Sequence, residues 1–304
     1  MSYSKNAQKE KLSAALSSVL GAIGLTSFKI VVGILTNSLG ILAEAAHSAL
    51  DLVAALMTFF AVRVSDKPAD IKHQFGHGKI ENMSALFETM LLLLTSAWII
   101  YEAVQRLFFK TIHVEISIWS FIVMGTSIII DYSRSRMLYR VAKKYNSQAL
   151  EADALHFSTD IWSSSVVIVG LAGVWMAGRI SGLEWMVQAD AVAAMVVALI
   201  VIYVSIELGW RTITALLDTA PKELPEKIRL AVSAIPGVAN CHQLRMRPSG
   251  AYWFIDLHVA MDGDRSLADT HAATEIIEGE IKKLVPYADV TVHVEPSEQE
   301  IIPV

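Results

Sequence analysis

Residues 39–62 read LGILAEAAHSALDLVAALMTFFAV, an apolar run interrupted only by Glu44, His47 and Asp51. A bilayer-spanning helix needs about 20 mostly apolar residues, so the run is predicted to cross a membrane. An ionisable group at that depth is costly, and its default meaning is a substrate or proton path. His47 and Asp51 are four residues apart, which sets both side chains on one helix face. The spacing recurs at His156 and Asp160, inside LHFSTDIWSSSVVIVGLAGVWMA (residues 155–177). Two imidazoles and two carboxylates, one pair from each helix, match the tetrahedral N₂O₂ ligand set that zinc accepts. Glu44 is read as a partner of another helix or a lining of the access path. Lys29 and Glu88 are read as structural groups within the spans.

The rest of the chain agrees with a membrane protein. Of 304 residues, 54% are hydrophobic and 18% charged, where a soluble domain carries about a quarter charged. Mean hydropathy is +0.46. Six spans are predicted, near Leu12–Leu35, Leu39–Val64, Ser84–Leu107, Ile116–Met137, Leu155–Ala177 and Val187–Trp210. Thr36-Asn37-Ser38 ties the first two into a hairpin. No small-residue cleavage site follows the first run, which reads as a retained helix rather than a signal peptide. Lys5, Lys9 and Lys11 precede the first span. Arg63, Lys67, Lys72 and Lys79 flank the second connection, and Arg134, Arg136, Arg140, Lys143 and Lys144 the fourth. The opposite connections hold Arg106, Lys110 and Arg179. That asymmetry predicts cytoplasmic termini in a multi-pass membrane protein. The net charge of -5 gives no basis for a nucleic-acid partner. Cys241, the single cysteine, excludes an intrachain disulfide and a Cys₄ zinc site.

Ala220-Pro221-Lys222-Glu223-Leu224-Pro225 is a breaker cluster, which divides a membrane domain, 1–219, from a soluble domain, 220–304. Glu226–Ile235 reads as a helix, His242–Arg247 and Tyr252–Met261 as strands around the turn Pro248-Ser249-Gly250, Leu267–Leu284 as a helix and Val290–Val294 as a strand. The αββαβ order predicts a small α+β sandwich with its helices on one face. Eight of nine histidines fall into three groups, His113 standing apart. One group is the membrane tetrad. A second, Asp70, His73 and His77, can face one point if its loop is tightly turned. The third is His242, His258, His271 and His293 with Glu295, where His293 and Glu295 share a strand face.

Six spans, HxxxD in the second and fifth, the loop FGHGK and a His-rich C-terminal domain together resemble the cation diffusion facilitator family, in particular its bacterial zinc/proton antiporters. The resemblance covers nearly the whole chain. It implies a six-helix bundle with a cytoplasmic ferredoxin- or metallochaperone-like domain, and a secondary transporter rather than an enzyme. It implies a transport site of His47, Asp51, His156 and Asp160, and a loop site of Asp70, His73 and His77. A binuclear site of His242, His258, His271, His293 and Glu295 would stabilise a homodimer, with a Lys79–Asp218 ion pair near its interface. Zinc is expected as cargo and as a structural or regulatory ion, with protons and lipid as the other partners and no organic cofactor. The family member compared carries Asp where Glu295 stands, and one branch carries Asp where His47 stands; histidine there resembles the zinc-preferring branch. Cadmium, cobalt, nickel and iron(II) share these ligand types. A membrane metal sensor is the alternative from another class. An intramembrane metalloenzyme would call for an open zinc position with a base such as HExxH supplies, and no HExxH occurs in the chain.

Overall fold

The computed structural model describes residues 5–108, 118–177 and 186–297. Six helices come first: α1 (Lys5–Thr36), α2 (Leu39–Ser65), α3 (Lys79–Phe108), α4 (Ile118–Tyr145), α5 (Gln148–Ala177) and α6 (Met186–Leu216). By length and composition α1, α2, α3 and α6 can cross a bilayer. The other two run to 28 and 30 residues and carry charged groups, Asp131 and Arg134 on α4 and Asp153 and Asp160 on α5. Lys110, His113 and Arg179 lie outside the described residues, as does the side chain of Arg106.

The α1–α2 hairpin forms for local reasons. Asn37 takes the left-handed backbone region that a tight turn needs (φ 50). Ser38 then caps α2, its hydroxyl accepting from the Ile41 N–H at 3.4 Å. Gly33 lets the two helices close, because a Cβ there would lie 2.8 Å from Leu42 Cδ2. The helices pack as α1 along α2, α4 along α5 and α3 along α6, with α5 also against α2, α3 and α6.

Two charges expected outside the bundle are inside it. Helix α4 does not end near Met137 but continues to Tyr145, leaving only Asn146 and Ser147 before α5. Arg and Lys are good helix formers and carry it on. Arg134 falls before Met137, well inside this helix, and is no loop charge although its sequence reading sets it with the fourth connection. It is buried, lies over the Phe157 ring at 3.5 Å and donates to Ser18 (3.1 Å) and Asp131 (3.2 Å). Lys11 is likewise buried, donating to Asp66 (2.6 Å) and Glu81 (3.0 Å).

After α6 come α7 (Leu224–Ser233), β1 (Val238–Ser249), β2 (Tyr252–Met261), α8 (Leu267–Leu284) and β3 (Ala288–Pro296). The sheet order is β1-β2-β3, antiparallel between β1 and β2 and parallel between β2 and β3. Alternation along β2 sends Ile255, Leu257 and Val259 into a core with Ile228 and Val232 of α7 and Ile277 and Ile281 of α8. His258 belongs to the other face. The α2–α3 loop docks on this unit: Phe75 meets Phe254 edge-on at 5.1 Å and lies under the Arg247 guanidinium at 3.8 Å. A Cβ on Gly78 would fall 2.2 Å from the Ser249 carbonyl oxygen, so only glycine allows this approach.

Candidate metal centre

The helical spacing does bring the two HxxxD pairs together. His156 Nε2 stands 3.2 Å from Asp51 Oδ1 and 3.6 Å from Asp160 Oδ2, while His47 Nε2 stands 3.9 Å from Asp51 Oδ1 and 3.8 Å from Asp160 Oδ1. Donor atoms around a tetrahedral zinc at about 2.0 Å are about 3.3 Å apart. The four separations therefore suit a cation placed among them after small side-chain movements. His156 is buried, and the His47 side chain is 43% exposed. His47, Asp51 and Asp160 line a cavity of about 470 Å³ together with Lys29, Glu44 and Asp131. Glu44 pairs with a neighbouring helix, accepting from Lys29 Nζ of α1 at 3.3 Å, and also lines the cavity. Because α2 runs from the α1–α2 turn toward the docked loop, Glu44 marks the cavity as lying away from the C-terminal unit.

In the α2–α3 loop the backbone turns tightly without forming a helix. The N–H groups of Lys72 and His73 donate to Asp70 Oδ1 at 2.8 and 2.6 Å, and Gly76 N–H closes on the His73 carbonyl at 2.9 Å. That places Asp70 3.3 Å from His73 Nδ1 and 3.4 Å from His77 Nε2, with the two rings 4.3 Å apart. The His73 N–H, foremost, holds the Asp70 carboxyl below its usual range, ready as an ionised donor.

A third cluster crosses the sheet. His242, His258 and His293 occupy one line of the register, one on each strand. An irregularity between His242 and Arg245, with Gln243 at φ 48, precedes the regular pairing of β1. Glu295 reaches all three, 2.8 Å from His258, 3.2 Å from His242 and 3.6 Å from His293. The hydrogen bond from His258 is the main reason its carboxyl lies below the ordinary range. His271 is not brought to this cluster. It sits exposed on α8, which packs on the opposite face of the sheet, and its Nε2 lies 3.7 Å from Glu275. Lys79 and Asp218 do pair, at 2.8 Å, and both are about two-fifths exposed.

Sequence reasoning missed Asp131, Arg134 and Asp153. Each is buried in the bundle, yet a lone charge near a span end reads as a flank. Asp153 sits one turn before His156, so an i, i+3 extension of the HxxxD pattern was the available signal.

A family model for the cation efflux transmembrane domain matches residues 15–217, and one for the cytoplasmic domain of cation efflux proteins matches residues 220–297. The chain is 31% identical over 291 residues to the cation-efflux pump FieF of Pectobacterium atrosepticum, covering 93% of this chain and 92% of the relative. It is 32% identical over 289 residues to its counterpart in Serratia proteamaculans, with the same coverages. The metal-bound C-terminal domain of the CzcD transporter from Thermotoga maritima matches 26% of this chain and 92% of its own at 33% identity, with a TM-score of 0.24.

Proposed function

This chain belongs to the cation diffusion facilitator family of cation-efflux transporters, and from that membership we propose that it exports zinc from the cytoplasm in exchange for protons. One observation carries the reading: two imidazoles and two carboxylates face one another across 3.2–3.9 Å at the edge of a cavity within the helices. All four are groups that bind zinc deprotonated and bind protons in its absence, so the two ions compete for one site. Zinc taken up from the cytoplasm is carried to the far side as the helices rock, and protons displace it there.

In this reading residues 1–219 form six spans with both termini in the cytoplasm of an inner-membrane protein. Residues 220–304 form the cytoplasmic domain, through which two copies pair. The cavity then faces away from the cytoplasm. Asp70, His73 and His77 hold a second zinc, and His242, His258, His293 and Glu295 a third, in structural or regulatory roles. The Lys79–Asp218 pair steadies the end of α6 against the start of α3. His271 has no part in the C-terminal site of its own chain.

The test is metal choice in proteoliposomes, comparing zinc with cadmium, cobalt, nickel and iron(II). Zinc should move fastest, and His47→Ala should change both the ranking and the proton coupling. A wild-type ranking led by iron or cobalt would remove zinc as the main cargo. Unchanged coupling in His47→Ala would take His47 out of the proton path.

A further inference from the structure

Glu88 of α3 lies behind the tetrad and belongs to none of the three clusters. Its side chain is wholly buried. Oε1 accepts from the Thr58 hydroxyl of α2, and Oε2 has no partner. Asp153 of α5 is as deeply buried; Oδ2 accepts from Ser18 at 3.2 Å, and Oδ1 has no partner. His156 presents Nε2 to the tetrad carboxylates, while its Nδ1 is also buried without a partner. Glu88, Asp153 and His156 lie within electrostatic reach of one another. Each of the three residues carries a buried polar atom without a partner, which is unusual, because buried polar groups nearly always find a bond.

Their position gives the cluster meaning. Asp153 is one turn before His156 on α5, and Glu88 two turns before Thr95, which lines the cavity. Both therefore stand on the side of the tetrad nearer the docked loop, where both side chains are buried. The charge balance there is uneven. Arg134 of α4 bonds Asp131 and, through Ser18, serves Asp153. Lys29 of α1 is engaged by Glu44 and Ser48. Among the described residues Thr58 of α2 bonds Glu88 and the charges of Asp153 and His156 of α5 act on it, while α6 packs Leu208 beside Ala85 and brings Gly209 against Thr89. No hydrogen bond or ion pair joins Glu88 to a tetrad residue among the described residues.

We propose that Glu88 is a proton-carrying residue of the transport cycle, neutral while the inner half is closed and ionised when that half opens to water. An anionic carboxylate beside Asp153, without a cation of its own, is costly in a dry interior. Opening hydrates it, and the proton leaves to the cytoplasm as zinc enters. The proton is bound and released at a carboxyl oxygen, with no other bond changed. Glu88 thus acts beside the tetrad as a coupling group and not as a zinc ligand. The inference rests on the zinc/proton exchange proposed above.

The experiment counts protons released per zinc bound by the purified full-length protein, alongside the pH profile of zinc flux in proteoliposomes. Glu88→Gln, fixed neutral, should still bind zinc but release about one proton fewer per zinc, with a flattened flux profile. Glu88→Asp should restore the release with a displaced pH midpoint. Wild-type release and profile in Glu88→Gln would overturn the proposal and leave Glu88 a permanently neutral structural acid. If the Gln variant does not fold, Glu88→Asp decides alone: a midpoint equal to wild type overturns it. Absence of zinc-linked proton release from the wild type would sink the exchange reading itself, a separate outcome.

Discussion

At His156 the ring nitrogen that faces Asp51 at 3.2 Å also faces Asp160 at 3.6 Å, so one residue touches both halves of the tetrad. Asp51 in turn serves both histidines, and Asp51→Asn should weaken zinc binding at least tenfold, about 1.4 kcal/mol, in a competition titration with a chromophoric chelator. Equal affinity in that variant would remove Asp51 from the site. Glu295 makes a different prediction. Its carboxyl is held low, chiefly by His258. A lowered folded value means its contribution to stability is present at neutral pH and is lost only as pH falls through that value. Between pH 8 and 5 it stays ionised, so Glu295→Gln, which removes that charge, should weaken zinc binding at the C-terminal cluster throughout that range. Unchanged affinity in the variant would contradict the assignment. The HxxxD pairs were legible because helical spacing alone fixes which face two residues share. His242, His258 and His293 were legible as a group, but their alignment depends on strand register, which sequence spacing does not give. Glu88 reads only as a structural group and Asp153 goes unnoticed, since nothing local states that two distant helices will bury both.

Helix α4 shows how an element can carry more than its periodicity suggests. Its polar half was expected beyond the membrane, yet Arg134 is buried between Asp131, Ser18 and the Phe157 ring. Removing one member of a buried charged set leaves the others uncompensated. Arg134→Ala should therefore cost about 3–5 kcal/mol, seen as a lower unfolding midpoint in detergent. A change below about 1 kcal/mol would mean that water already reaches this group. In the C-terminal unit β2 and α8 have their expected bounds, and Ser266 caps α8 by accepting from Asp269 N–H at 3.1 Å. β1 and β3 extend past their expected ends because pairing partners, rather than their own patterns, set their length. Ile277 of α8 is wholly buried against that sheet. Ile277→Ala should cost about 2–5 kcal/mol, and faster amide exchange in β1–β3 would report it.

Across the whole molecule, the helices meet the C-terminal unit at the α2–α3 loop, at the start of α3 and where α6 packs beside β1. Phe75 is held between Phe254 and Arg247, Gly78 abuts Ser249, and the Asn82 side chain accepts from Gly250 N–H at 3.3 Å. The same loop carries Asp70, His73 and His77, so zinc bound there would stiffen the junction. Such docking has no period and no motif, which is why two separate units were readable in the sequence and their contact was not. The central claim is that zinc moves against protons through the four residues between α2 and α5. It is tested most directly by zinc uptake into proteoliposomes under an imposed pH gradient, with Asp51→Ala in parallel. The account predicts flux that follows the direction of the gradient in the wild type and disappears in the variant. Zinc binding without flux under any gradient, or undiminished flux in Asp51→Ala, would contradict it.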